Sequence, residues 1–193
     1  MRRVNIKKES AKERILGVAS ELFYSEGIRA VGIDRIIAES EVAKASFYRN
    51  FATKDDLVVA FLEKRQLRSL SVIEEAKKLY PDEPVKQLHH LAQVLSESIK
   101  QPSFRGCPFT NTLLEFPDAA HPGHQTALQC RVDHEGEVAQ IARQANARNP
   151  EALAAQLEML YGGAIVDAYI RKPAFDSNNF YNAAMVLIEA QLT

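Results

Sequence analysis

The stretch "AKASFYRNFATKDDL", residues 43–57, places three aromatic and three basic side chains within fifteen positions. Helical spacing over residues 44–50 turns Phe47 and Phe51 toward neighbouring helices and leaves the basic side chains outside. Two short helical patterns precede this stretch, and a tight connection over residues 40–43 separates it from the second of them. Three short helices with such a turn before the third predict a helix-turn-helix unit, whose third helix enters the major groove of DNA.

The remainder of the chain also has helical patterns, and no stretch shows sustained strand alternation. Ser10 and Glu13 have the spacing of a capping box at the start of the first helix. Thr53 and Asp56 predict the start of a long fourth helix that ends near Leu79. Further helices are predicted over residues 85–100, 108–117, 123–147, 151–171 and 178–192. We therefore expect an all-α protein of about nine helices.

Charge divides the chain into two parts. The 193 residues have a formal net charge of −1, yet residues 1–54 hold eleven lysines and arginines against seven acids, a net +4 that leaves −5 for residues 55–193. A basic module is typical of a protein that meets a polyanion, although a solvated charged face is the plainer alternative. Together with the helix pattern, this predicts a DNA-binding domain over residues 1–54 and a second helical domain over residues 55–193.

Cys107 and Cys130 are the only cysteines, and they form no CxxC pair. Neither a disulfide framework nor a structural zinc site is indicated. No apolar run has the length that spans a bilayer, and the basic start lacks the apolar segment of a secretory signal. We expect a cytoplasmic protein.

The run "GIRAVGIDRIIAESEVAKASFYRNFATKDDLVVAFL", residues 27–62, resembles the DNA-binding domain of the tetracycline-repressor (TetR) family of bacterial transcription regulators. The resemblance implies a homodimer with an N-terminal domain that binds double-stranded operator DNA. It also implies a C-terminal helical domain that binds a small-molecule effector and dimerises. One departure is Glu41, where the family usually has glycine, because a side chain tolerates a left-handed backbone poorly.

The resemblance carries eight DNA-contacting positions onto this chain. Tyr48 can give its hydroxyl to a phosphate, Lys44 can reach a phosphate or a guanine edge, and Ser46 is small enough to let the helix sit deep. Lys54 can meet another phosphate at the start of the fourth helix. The full set is Arg29, Gly32, Lys44, Ala45, Ser46, Tyr48, Arg49 and Lys54.

The family resemblance places the effector pocket among the middle helices. The candidates are Leu88, Phe104, Cys107, Phe109, Asn111, Leu114 and Phe116, with ordinary core burial as the alternative for each. Cys107, which lies near Arg105 and near a predicted helix start, is also a candidate redox or electrophile sensor. A small buried apolar residue is the alternative there.

Asp118, His121 and His124 have the spacing of metal ligands. Pro122 and Gly123 prevent them from sharing one regular helix face, and closed sites need three or four converging ligands. Helix capping is the plainer explanation, so we expect neither a metal nor a cofactor.

The last two helices are the most apolar of the chain, and each carries a stripe that predicts packing against another helix. Gly163 would let that helix approach closely. A monomer can fold these stripes onto its own core, whereas a four-helix bundle between two copies would position two DNA-binding domains. The residues expected at this interface are Leu153, Leu157, Leu160, Gly163, Ala164, Tyr181, Met185 and Ile188.

The leading hypothesis is a ligand-responsive transcription regulator that represses from an inverted-repeat operator. A small all-helical enzyme or carrier is the rival, and an architectural DNA-binding protein is a third possibility. No nucleophile elbow, phosphate-binding glycine loop or paired metal motif is present, so we expect a protein that is not an enzyme. An architectural role leaves the large acidic domain unexplained.

Overall fold

The computed structural model describes residues 9–171 and 174–192. Within these ranges the chain forms nine α-helices and no strand. The helices are α1 (Ala11–Glu26), α2 (Ile33–Glu39), α3 (Lys44–Asn50), α4 (Lys54–Leu79), α5 (Pro84–Ile99), α6 (Pro108–Glu115), α7 (Pro122–Gln144), α8 (Pro150–Arg171) and α9 (Asn178–Leu192). The expected all-α architecture is confirmed. None of the helices in the described part of the chain has an apolar stretch able to cross a membrane.

Helix starts follow from local chemistry. In α1, Ser10 Oγ accepts from the N–H of Glu13 at 3.2 Å, and the Glu13 carboxylate accepts from the N–H of Ser10 at 2.7 Å. Thr53 and Asp56 form the same reciprocal pair at the start of α4. The later helices α5 to α8 begin at Pro84, Pro108, Pro122 and Pro150, where a missing N–H costs nothing.

The turn between α2 and α3 does use a left-handed backbone, with φ of 52° at Glu41. A side chain in this conformation costs about 1–2 kcal/mol. Arg14 of α1 stabilises the turn, because its guanidinium donates hydrogen bonds to the carbonyls of Ser40 and Glu41 at 3.2 and 3.3 Å. The departure at Glu41 therefore leaves the helix-turn-helix geometry in place.

Among the described residues there are two apolar cores, and the first holds α1, α2 and α3 against the start of α4. Phe47 of α3 and Phe61 of α4 are almost fully buried in it. Phe109 of α6 and the first half of α7 complete the same core, so packing continues across residue 54. The domain boundary at that residue stays a prediction.

The second core lies among α4, α5, α7, α8 and α9. It contains Ile73, Leu88, Ile141, Leu153 and Ile188, one from each of these helices. Because α4 and α7 contribute to both cores, they connect the three-helix unit to the remaining bundle.

Candidate DNA-binding surface and effector pocket

The α3 helix has one buried side and one open side. Phe47 is fully buried and packs edge-to-face on Tyr48 with ring centroids 5.3 Å apart. Lys44, Tyr48 and Arg49 are exposed, as is Ala45 between them. The buried side of α3 anchors the helix to the domain, and its exposed side carries two cations and a hydroxyl. Such groups can contact DNA phosphates and base edges. Ser46, whose small side chain is expected to let the helix lie deep in the major groove, is half-buried.

Lys44 is paired with Asp34 of α2, with Nζ 3.2 Å from Oδ1. The hydrogen bond to Asp34 raises the pKa of Lys44, so the ammonium stays charged at neutral pH. Both side chains are exposed, and such surface pairs contribute little to stability. Lys44 can therefore exchange this carboxylate for a DNA phosphate.

The other expected DNA contacts lie at the margins of α3. Lys54 is half-buried with its Nζ 6.0 Å from the ring of Phe23, and burial lowers its pKa. The guanidinium of Arg29 lies 5.2 Å from the ring centroid of Phe116. Gly32 is the exposed N-cap of α2. Arg29 and Lys54 thus contact aromatic rings of this chain in addition to facing the outside.

A cavity of about 280 Å³ lies within the bundle. Its walls come from α4, α5, α7 and α8, with contributions from the start of α6 and from Phe180 of α9. Most of the wall is apolar, with a small group of charged and polar side chains, as in typical small-molecule sites. The apolar wall includes Val72, Ile73, Leu88, Leu91, Leu95, Val138 and Leu157.

Three of the seven expected pocket residues, Leu88, Cys107 and Phe109, line this cavity. Phe104, Asn111, Leu114 and Phe116 do not line it. Leu114 is 77% exposed, because the short α6 turns only its first residues toward the cavity.

Two of the residues outside the cavity wall have partners near α6. The amide of Asn111 donates to the carbonyl of Arg105 at 2.8 Å. Phe116 stacks on the ring of His121 with centroids 4.1 Å apart. Asn111 and Phe116 therefore pack against the segments before and after α6, and neither forms part of the cavity wall.

Glu158 is the acid of the cavity lining, and its side chain is only 15% exposed. Oε1 lies 2.9 Å from Nδ1 of His134, and Oε2 lies 3.5 Å from the guanidinium of Arg131. Burial raises the pKa of Glu158, but His134 and Arg131 lower it by more, so the net shift is downward. Burial also raises the pKa of Tyr161, which lines the same cavity as a neutral phenol.

The segment around α6 joins the cavity to the DNA-binding unit. The hydroxyl of Tyr24, on α1, donates to the carbonyl of Gly106 at 3.1 Å and accepts from the N–H of Arg105 at 3.0 Å. At the other end of α6, the carboxylate of Glu115 accepts from the N–H groups of residues 28 and 29. Sequence patterns gave no signal for these contacts, since they join residues more than eighty positions apart.

The expected metal-ligand candidates have local partners. Asp118 accepts from the N–H of Ala120, His121 Nδ1 accepts from the N–H of Gly123, and His124 Nδ1 lies 2.7 Å from the carbonyl of Phe116. Among the described residues, no three His, Cys, Asp or Glu side chains group in a way that could hold a metal ion.

The two cysteines have different surroundings. Cys130 is buried in the first core, and burial raises its pKa to about 11, which disfavours the reactive thiolate. Cys107 is half-buried, forms the N-cap of α6 and lines the cavity. A role for Cys107 in sensing electrophiles stays a prediction.

The residues expected at the dimer interface differ in burial. Leu153 and Ile188 are fully buried in the second core, and Leu157 and Met185 pack against it, so these side chains stabilise their own chain. Leu160, Ala164 and Tyr181 are half-buried, and Gly163 is exposed. The α8 helix is apolar on nearly every side, so its sequence does not distinguish the stripe that faces the core from the stripe that faces outward.

A different stripe of α8 faces outward. Met159, Gly163, Val166 and Ile170 recur at helical spacing and are exposed, and Val186 of α9 is exposed as well. A Cβ at Gly163 would meet nothing within 4 Å. The protein thus exposes an apolar face of α8 that another helix could approach closely at Gly163.

Comparison with known proteins agrees with this architecture. Residues 15–61 match the family model of bacterial regulatory proteins of the tetR family, and residues 84–178 match the model of a tetracyclin repressor-like C-terminal domain. A TetR-family transcriptional regulator from Streptomyces coelicolor is 33% identical, with a TM-score of 0.88 over 95% of this chain and 96% of that one. A putative tetR-transcriptional regulator from Streptomyces avermitilis is 27% identical, with a TM-score of 0.78 over 95% and 98% of the two chains.

Similarity to curated relatives is confined to part of each protein. The uncharacterized HTH-type transcriptional regulator YwcC of Bacillus subtilis is 31% identical over 108 residues, which is 51% of this chain and 47% of that protein. The chain spans about half the length of the curated relatives that it matches first. Both family models and the solved structures nevertheless cover its two functional parts. The chain therefore belongs to the TetR family of transcriptional regulators, whose members bind operator DNA, respond to small-molecule ligands and are not enzymes.

Proposed function

We propose that this protein represses transcription by binding an inverted-repeat operator as a homodimer, and that a small molecule in the cavity releases it. The observation that carries the proposal is the open side of α3, where Lys44, Tyr48 and Arg49 are exposed while Phe47 is buried. A helix held in this way can enter the major groove without losing its contact to the rest of the domain. Since its target is bacterial DNA, we place the protein in the cytoplasm.

The outward apolar stripe of α8 supports the homodimer. Two copies that pair through Met159, Val166 and Ile170 would remove these side chains from water. A two-fold pair presents two α3 helices to half-sites about one helical turn of DNA apart, or a multiple of that distance. The operator is therefore expected to be an inverted repeat.

The contacts of α6 support release by a ligand. Pro108 and Phe109 line the cavity, whereas Glu115 at the opposite end of α6 bonds to the α1–α2 connection. A ligand that favours one position of α6 would change the placement of α3. A tenfold loss of operator affinity requires only about 1.4 kcal/mol of coupling, which a few ligand contacts can supply.

Footprinting on DNA upstream of the protein's own gene tests the proposal. Wild type should protect a paired, two-fold site, and protection should weaken as salt rises. Tyr48→Phe and Lys44→Ala should each weaken it, and the lysine change should also reduce the salt slope by about one unit if Lys44 meets a phosphate. Lys64→Ala, an exposed change on α4 outside α3, is the matched control. Equal protection by all four proteins would show that α3 does not contact DNA.

A further inference from the structure

The cavity wall carries more positive than negative charges. Arg65 and Arg68 of α4 and Arg131 of α7 line it, and among the described lining residues Glu158 is the single acid. With His134 counted as neutral, the wall carries two more positive than negative charges. A cavity with such a wall favours an anion over a cation of the same shape.

The acid of the cavity already has partners. Glu158 lies 3.5 Å from the guanidinium of Arg131 and 2.9 Å from Nδ1 of His134. No carboxylate of the described residues comes within 4.0 Å of the guanidinium groups of Arg65 or Arg68. The two arginines of α4 are therefore the positive charges that a ligand could still neutralise.

Arg65 is half-buried, whereas Arg68 is exposed at the edge of the cavity. Its guanidinium lies 4.4 Å from the ring of Tyr24 and 5.5 Å from the ring of Phe61, and it donates to the carbonyl of Ser20 at 3.2 Å. Rings and a carbonyl orient the group but do not supply a negative charge. Burial lowers the pKa of Arg65, and the charge of Glu21 on α1 acts in the opposite direction without forming an ion pair with it. This half-buried guanidinium therefore has no directly paired counter-ion among the described residues.

The remaining wall determines the rest of the ligand. Val72, Leu91 and Val138 belong to its apolar part, and the volume of about 280 Å³ lies at the small end of ligand sites, which span about 300–1,000 Å³. We infer that the effector is a small apolar monocarboxylate, with its carboxylate at Arg65 and Arg68 and its hydrocarbon part among the aliphatic side chains. This inference rests on the proposed function of the cavity as an effector site.

A matched series of compounds tests the charge. The probes are 2-naphthoate, its neutral carboxamide and the cationic 2-naphthylmethylamine, together with the corresponding single-ring compounds. Their affinities for the full chain are measured by isothermal titration calorimetry at one pH and salt concentration. We expect the acid to bind at least about tenfold more tightly than the amide and the amine, because bidentate pairing with a guanidinium is available only to the acid.

Three variants locate the effect. Arg65→Met and Arg68→Met keep an unbranched side chain without the charge, and each should remove most of the preference for the acid. Because Arg65 also contacts Ser20 and Tyr24, the Arg68 variant keeps the test valid if the Arg65 variant does not fold. Lys64→Met removes a cation from the neighbouring, exposed position of α4 and should leave the preference unchanged.

The outcomes separate the ligand class from the proposed function. Tighter binding of the amide or the amine, or no binding of either acid below about 1 mM, would overturn the carboxylate inference. A preference for the acid that survives both arginine variants would overturn it as well. If the acids bind as expected but leave operator DNA bound, the ligand class stands and the proposed release fails. If a neutral compound releases the DNA, the release stands and the ligand class fails.

Discussion

The carboxylate of Glu115 accepts a hydrogen bond of 2.8 Å from the backbone N–H of Arg29. It also accepts from the N–H of Ile28 at 3.1 Å, so one side chain of α6 holds the connection between α1 and α2. The start of the same helix, at Pro108 and Phe109, lines the cavity. One helix of eight residues thus contacts both the ligand site and the DNA-binding unit.

Glu115→Gln should weaken this junction. The amide oxygen cannot replace both charge-assisted bonds, so we expect the free energy of unfolding to fall by about 1–3 kcal/mol and operator affinity to fall with it. Chemical denaturation and operator titration measure the two effects. Glu75→Gln, at an exposed position of α4, is the matched control. Unchanged values for both variants would show that the bonds at residues 28 and 29 do not stabilise the DNA-binding unit.

Asp34→Asn should strengthen operator binding. Asp34 is the partner of Lys44, and its negative charge lies beside the surface that meets DNA phosphates. Removing one such charge is worth at most about 1 kcal/mol in water, so we expect a gain of up to about fivefold at low salt, shrinking as salt rises. Asp82→Asn, beyond the far end of α4, should have no effect. A loss of affinity in Asp34→Asn would mean that the pair orients Lys44 for DNA.

Gly163→Leu should weaken the dimer without harming the protomer. A Cβ at this position meets nothing within 4 Å, and leucine favours a helix by up to about 1 kcal/mol over glycine. A close partner helix would meet the new side chain, so sedimentation should show more monomer and operator affinity should fall. Gly17→Leu on α1, where a Cβ also has open space, is the control. If Gly163→Leu sediments as wild type does, the dimer forms through another surface.

Glu158→Gln should change how stability depends on pH. Because the folded pKa of Glu158 is lowered, its ionised form stabilises the fold above the unfolded pKa of about 4.3, and this contribution is lost as pH falls through the folded pKa. The difference in unfolding free energy between wild type and Glu158→Gln should therefore be larger near pH 6 than near pH 3.5. Urea denaturation across this range measures it. A difference that grows toward acid pH would contradict the lowered pKa.

The parts of the fold that the sequence predicts correctly are those determined by short-range patterns. Capping residues at Ser10 and Thr53, and the aromatic spacing of Phe47 and Phe51, act within a few positions, so the helix starts and the open side of α3 followed from them. The outward stripe of α8 did not follow, because an evenly apolar helix carries no signal for which side meets its own core.

The candidate site was less predictable than the helices. Leu114 lies on an apolar position of α6 but faces outward, since only the first turn of that helix reaches the cavity. Tyr24 and Arg65 stack at 4.4 Å only after α1 and α4 have packed, and no spacing along the chain indicates such a pair. Residues joined by tertiary packing alone could not be found from one sequence.

Release of operator DNA by a ligand in the cavity is the measurement that tests the central claim most directly. Fluorescence anisotropy of a labelled operator follows wild type, Leu95→Trp and Leu114→Trp during titration with the tightest-binding compound of the matched series. Leu95 lines the cavity, so tryptophan should fill it at a cost of about 1–3 kcal/mol in stability, whereas Leu114 is on the surface. We expect all three proteins to bind the operator and only wild type and Leu114→Trp to be released. Release of Leu95→Trp at the same ligand concentration would show that the cavity does not control DNA binding.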